Sequence, residues 1–239
     1  SLYNGKEGKS DEQLLRKIDV LTVDIQDVGL RFYTYYISML RLMNVCAKTR
    51  TRVLVLDRPN PNGFYVDGPL LDMRYKSGVG ALPIPVVHGM TLGELAGMIN
   101  GEGWLGEGRK CRLTVVPCAN YTHQTRYHLP IAPSPNLPNM QAVYLYPSIC
   151  LFEGTPVSLG RGTSLPFQQF GHPDMTGYSH RFTPRSRAGA KNPPQLNKVC
   201  YGVDLSQMPS EEVQQRGLDL SYIINAYRNL GIGNRFFTP

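Results

Sequence analysis

The sequence contains no apolar run of the roughly 18 residues that a membrane-spanning helix requires. It also lacks internal repeats and low-complexity segments, which excludes solenoid and fibrous architectures. Cysteine is sparse: Cys46, Cys111, Cys118, Cys150 and Cys200 are odd in number and widely spaced, so the fold is not a disulfide scaffold and at least one thiol is free. Ser1 is not expected to open a secretory signal. The chain starts in a polar, turn-like stretch and ends on an aromatic-proline tail, and is expected to be cut at both ends. A soluble protein is expected.

What is present fits a loop-rich enzyme. The 239 residues are 41% hydrophobic, enough for a sizeable core, and the 24 glycines and 19 prolines gather in polar blocks between apolar runs. The net charge of +7 favours an anionic partner without choosing among nucleic acid, acidic glycan and membrane surface. Lys and Arg are scattered, with one loose basic group at Arg181, Arg185, Arg187 and Lys191 and no aromatic-interleaved basic stripe of the kind single-strand binders use, so nucleic acid is not expected.

Residues 14–18 read as the end of a helix, followed by 20–25 (VLTVDI), a β-branched run expected to form a parallel strand buried on both faces. Apolar residues at helical spacing over 34–48 predict an amphipathic helix, and 52–56 (RVLVL) returns as a second buried strand. That is a βαβ unit. Two prolines keep 82–87 out of a central sheet position. Thr91 and Glu94 predict a capping box opening a helix that runs to about Asn100, with a strand over 111–116. Beyond the Pro-rich block 129–138, a helix is expected over 140–151, a glycine-containing loop over 153–167, a strand over 199–205 and one helix over 211–230. The expected fold class is α/β, a Rossmann-like parallel sheet with a second, smaller α+β domain. The boundaries are 1–138 for the first, N-terminally incomplete, and 139–239 for the second, C-terminally incomplete.

Three familiar signals fail on context. The formal dinucleotide fingerprint starting at Gly101 and ending at Gly106 follows a helix and precedes a strand, the reverse of what phosphate cradling needs. Gly8-Lys9-Ser10 ends like a P-loop, but Tyr3 stands where the first glycine belongs. Cys111, Cys118, His123 and His128 offer soft ligands without the tight Cys-x2–4-Cys knuckle of structural zinc, and no metal is expected.

The sharper signal lies at the carboxyl ends of the two buried strands, where open α/β sheets bind ligands. Asp24, Gln26 and Asp27 offer polar partners for sugar hydroxyls, Tyr33 and Tyr35 ring platforms, and Arg31 a cation. The alternative is a buried Asp24–Arg31 pair with the aromatics starting the next helix. In the second loop Asp57, Arg58, Asn60 and Asn62 either bind substrate or build an Asx turn stiffened by Pro59 and Pro61. His88, just before a helix N-cap, either orients substrate or is structural. Asn136 and the loop carrying Glu153 and Arg161 add an amide, a carboxylate and a cation flanked by glycines.

In order, DIQDVGLRFYTY, LDRPNPNG, VVHGMTLGELA, APSPNLPNM, LFEGT, and GRGT with PF resemble the exo-acting β-N-acetylmuramidases of the NamZ type, in a version like that of Bacteroides-type bacteria. The resemblance implies a Rossmann-like domain and a smaller domain with a cleft between them, removal of terminal N-acetylmuramic acid from peptidoglycan fragments, and no cofactor. The lactyl carboxylate of muramic acid suits Arg31 or Arg161. The family's catalytic glutamate is expected in a Glu-His-Gly segment upstream of a Ser-Leu-Tyr-Gly block. Ser1-Leu-Tyr3 matches that later block, with Asn4 in place of its glycine and Gly78 in place of a usual aromatic, so activity of the chain alone is an open expectation. Among residues present, Glu153 and Asp27 are the candidates for proton-handling carboxyls. The expected substrate is peptidoglycan-derived sugar, and the expected location periplasmic or cell-surface. Rival readings are a non-catalytic glycan-binding protein and a nucleotide-dependent α/β enzyme.

Overall fold

Val20, Thr22 and Val23 are β-branched, and such side chains favour extended backbone. In the computed structural model, which describes residues 9–238, they lie in strand β1, Val20–Val23, after a short helix α1, Lys9–Leu15. The Ser1-Leu-Tyr3 block, Asn4 and Gly8 lie outside the described residues. Helix α2 spans Tyr35–Thr49 and buries Ile37, Leu40 and Met43 on one stripe, after which the chain returns as β2, Arg52–Leu56. Thr91 caps α3, Leu92–Gly101, through a complete capping box: Glu94 N donates to Thr91 Oγ1 at 3.2 Å and Thr91 N donates to Glu94 Oε2 at 2.8 Å. Strand β3, Leu113–Val116, starts two residues later than the pattern suggests. The reason is Asn100, whose carboxamide takes both the N–H and the C=O of Cys111, at 2.8 and 3.1 Å, in place of a strand neighbour.

The three strands form a parallel sheet in the order β1-β2-β3, with Val23, Val55 and Val115 in one row. Val23, Val53 and Val55 join Met39, Met43 and Leu95 in a single core cluster, so the helices cover that face. The expectation of strands buried on both faces fails here. Side chains alternate across a strand, and on the other face Thr22, Arg52 and Thr114 are exposed, with Leu56 37% and Val116 47% exposed.

The chain folds into two units, Ser1–Tyr127 and His128–Pro239. In the second, α4 (Met140–Ile149) is capped by Asn139, whose Oδ1 accepts from Ala142 N at 2.9 Å, and it is buried along nearly its whole length. It runs into a 3-10 turn, Cys150–Gly154. Strands β4 (Gln169–His172), β5 (His180–Phe182) and β6 (Cys200–Asp204) form an antiparallel sheet in the order β4-β6-β5. The one helix expected over 211–230 is two, α5 (Ser210–Arg216) and α6 (Ser221–Leu230). Gly217 breaks it at φ 58°, ψ −131°, outside helical space, and Asp219 Oδ1 then accepts from Ser221 N at 2.8 Å to start the second.

All five cysteines are free; Cys118 is partly exposed and the other four are buried. No described helix is long and apolar enough to cross a membrane.

The β4–β6 ladder places Gly171 opposite Gly202, and a Cβ on Gly202 would lie 1.9 Å from the carbonyl oxygen of Phe170. Gly202→Ala is therefore expected to destabilise the protein by about 3 kcal/mol or more. Urea denaturation checks this, and a loss below about 1 kcal/mol would show that the strands are not held so close.

Candidate active site

Three segments are knotted together at the carboxyl ends of β1 and β2. The first carries Asp24, Gln26 and Asp27, the second Asp57, Arg58, Asn60 and Asn62, the third His88. Gln26 Nε2 bridges two of them, donating to Asp27 O at 2.8 Å and Pro59 O at 2.9 Å. Asn62 Nδ2 donates to Val28 O at 2.9 Å, and His88 N donates to Gly29 O at 3.2 Å. Asn60 Nδ2 reaches the third segment at Met90 O, 2.9 Å, while its Oδ1 accepts from Asn62 N at 2.8 Å. Such closeness depends on Gly29, at φ 78°: a Cβ there would lie 2.3 to 2.6 Å from the Asn60 carboxamide.

Asp57 is held by α3. Its Oδ2 accepts from Thr91 Oγ1 at 2.6 Å and its Oδ1 from Gly93 N at 2.8 Å and Arg58 N at 3.0 Å, so the carboxylate sits at a helix N-terminus. The Asx turn of this loop is made instead by Asn60, whose Oδ1 takes the N–H two residues on, while Asp57 ties the loop to α3. Asp24 pairs with Arg58 at 2.6 Å, half exposed, and each holds the other charged: the Asp24 carboxyl is lowered and the Arg58 guanidinium raised. The alternative pairing of Asp24 with Arg31 is not formed. Arg31 Nη1 instead donates to Pro69 O at 2.7 Å and Ile84 O at 2.8 Å, strapping down the loop between them. Burial lowers its pKa. Tyr33 is buried with its ring 4.6 Å from that of Tyr35, at the entrance to α2.

Two titratable groups of the knot are buried. Asp27 Oδ1 accepts from Gly29 N at 2.8 Å, and Oδ2 has no hydrogen-bond partner among the described residues. Burial raises its pKa to about 7, against the smaller opposing effect of backbone hydrogen bonds. His88 Nδ1 accepts from Met90 N at 3.2 Å, leaving Nε2 as a buried atom with no partner among the described residues, and burial lowers its pKa to about 4. Asn62 Oδ1 is the third such atom in the knot.

Glu153, Arg161 and Asn136 lie in the second unit. Arg161 donates from Nε to Glu153 Oε1 at 2.9 Å and from Nη2 to the same oxygen, with its guanidinium over the Phe167 ring at 4.8 Å. Gly160 and Gly162 both take positive φ, where an added Cβ would strike the carbonyls of Leu165 and Arg185 at 2.4 Å. The glycines therefore serve packing of the chain against itself. Asn136 Nδ2 donates to Gly189 O at 3.0 Å.

One residue of this region carried no site signal in the sequence beyond a failed metal pattern. His123 bonds Gly63 O through Nδ1 and Glu94 Oε1 through Nε2, both at 2.9 Å. Both partners are acceptors, so the ring is suited to donate from both nitrogens as an imidazolium, and its pKa is raised, chiefly by the Gly63 carbonyl and then by Glu94. Cys111 lies instead in the core cluster.

Sequence models of exo-beta-N-acetylmuramidase NamZ match almost the whole chain, the N-terminal one over residues 1–141 and the C-terminal one over residues 144–237. The chain belongs to the NamZ family. It is 43% identical over 178 residues to the peptidoglycan beta-N-acetylmuramidase NamZ of Bacillus subtilis strain 168, a match covering 72% of this chain and 42% of that relative. Among solved structures it is similar to a DUF1343 family protein of Bacteroides fragilis NCTC 9343, with a TM-score of 0.94 and 70% identity over 95% of this chain and 65% of that one. A second DUF1343 protein of the same organism gives a TM-score of 0.75 at 27% identity, over 97% and 65%. The chain thus spans less than two thirds of the NamZ-family and DUF1343 proteins it matches.

The two buried titrations oppose each other. Asp27 has its folded pKa raised, so its contribution is full below the ordinary carboxylate range and is lost as pH rises toward about 7. His88 has its folded pKa depressed, so its contribution is full above the ordinary histidine range and is lost as pH falls toward about 4. Taking the pH 6.5 to 4 window, Asp27→Asn should lose about 3 kcal/mol relative to wild type on acidification, and His88→Gln should gain a similar amount. Urea titrations at the two pH values measure both differences, and variants that track wild type would show these groups to be solvated.

Proposed function

We propose that the chain contributes to an exo-β-N-acetylmuramidase, a glycoside hydrolase that releases terminal N-acetylmuramic acid from peptidoglycan fragments, at the periplasmic side or the cell surface. Family membership over nearly the whole chain supports the reaction class. The observation in the molecule that carries the reading is Asp27, a carboxyl at the carboxyl end of a parallel strand whose pKa, about 7, lets it hold a proton near neutrality.

Glycosidic bonds break when one carboxylic acid protonates the leaving oxygen and a second carboxylate supports the opposite face. Asp27 has the environment of the first kind. Glu153, already the acceptor of two Arg161 N–H groups, has the environment of a fixed acceptor rather than a donor. Exposed Arg58, beside Asp24, offers a cation near the knot for the lactyl carboxylate, since Arg31 Nη1 is engaged by backbone carbonyls.

The full-length protein is expected to hydrolyse a chromogenic N-acetylmuramic acid glycoside and to trim peptidoglycan fragments from an end. Asp27→Asn should lower kcat by about 100-fold or more with a small change in KM. Turnover undiminished in Asp27→Asn would remove Asp27 from proton handling. Binding of the sugar without any hydrolysis by wild type would instead favour a glycan-binding protein.

A further inference from the structure

We infer that the amino end of the parallel sheet is a second ligand site, built for a dianionic phosphate group on a small molecule. It lies at the opposite end of the strands from the Asp24–Asp57 knot.

A cavity of about 510 Å³ opens there, walled by Arg16, Arg50, Arg52 and Arg112. The four arginines come from four places in the chain: just after α1, the C-cap of α2, the first residue of β2, and the residue before β3. The parallel topology is what gathers them, because β1, β2 and β3 all begin on this side. Asp19 is the carboxylate in the wall, and Glu12 pairs with Arg16 at 2.7 Å. Among the described residues Arg50, Arg52 and Arg112 form no ion pair. Two carboxylates against four guanidiniums leave a surplus that fits a dianion. The C-terminal carbonyls of α2 face the same end, but a helix terminus is equivalent to roughly half a charge and does not balance that surplus.

The wall also carries neutral hydroxyl groups. Thr49 Oγ1 and Thr51 Oγ1 lie 2.7 Å apart, and Thr51 donates to Leu15 O at 2.9 Å. Thr51 is thereby anchored, and Thr49 completes a hydroxyl pair beside the guanidiniums. Arg50 sits at φ 63°, ψ 16°, the left-handed C-cap position that glycine fills at least cost. An arginine is kept where local backbone preference asks for glycine. Guanidinium forks match phosphate oxygens two at a time, whereas a single carboxylate is satisfied by one fork, so the chemistry here selects phosphate over a simple carboxylic acid.

Isothermal titration of the full-length protein with inorganic pyrophosphate and, separately, with glycerol phosphate in a phosphate-free buffer tests this. Saturable binding of both, weakening as salt is raised, is expected for a group read by its phosphate. Tighter binding of pyrophosphate assigns the site to free phosphate compounds, and tighter binding of glycerol phosphate assigns it to an organic phosphate ester. Arg52→Gln with Arg112→Gln should weaken either ligand by tenfold or more, while Arg181→Gln in the second unit should not change it. Arg50→Gly separates charge from fold: it should leave the urea midpoint unchanged or higher, and still weaken binding. No saturable heat with either ligand, or equal binding by wild type and the Arg52/Arg112 variant, would overturn the inference.

Discussion

The missing side chain of Gly29 is the constraint on which the candidate site rests. The Asn60 carboxamide occupies the space that a Cβ would take. Only because of that can the loop after β1 and the loop after β2 share hydrogen bonds, with Asn62 on the Val28 carbonyl and Gln26 on that of Pro59. The third segment is then drawn in through His88 N and Met90 O. Burial of Asp27 and His88 follows from this closure, and burial moves their proton affinities in opposite directions. Gly29 thus acts on proton chemistry twice: by letting the loops close over Asp27, and by donating its own N–H to the Asp27 carboxyl, which opposes part of the effect of burial.

The sheet is polarised by its topology. Parallel strands put every start at one end and every finish at the other, so residues flanking the strands collect by position rather than by neighbourhood in sequence. Asp24, Asp27 and Asp57 follow strands, whereas Arg16, Arg52 and Arg112 precede or open them. The net charge of +7 is an average that hides this separation.

The elements most legible in the sequence were those with local causes. The capping box at Thr91 and Glu94, the apolar stripe of α2 and the span, though not the two-sided burial, of the strand at Arg52–Leu56 each depend on a few adjacent residues, and these stand as read. What failed depends on distant partners. The delayed start of β3 comes from Asn100, eleven residues away, and the half-open face of the sheet depends on which side the helices choose. Strands β4 and β5 had no periodic signal because they are short and rich in glycine, histidine and glutamine; cross-strand pairing with β6 defines them. The break at Gly217 was visible as a letter but masked by apolar spacing that continues past it. Of the candidate site, residue types and their place at the strand ends were readable. Individual partners were not: Arg58 rather than Arg31 faces Asp24, and His123 closes onto Glu94 across 29 positions.

Burial of the thiols has a practical consequence. Desolvation is the main influence on all five, lifting Cys46 and Cys118 to about 11, Cys200 to about 12, Cys150 well above its ordinary value, and Cys111 in the same direction. Disulfide exchange and alkylation proceed through the thiolate, which such groups hardly populate at neutral pH. The four buried thiols of the folded chain should therefore resist cross-linking by air and mild oxidants, and a thiol-reactive dye would reach them on unfolding, with partly exposed Cys118 left as the thiol it meets in the native protein.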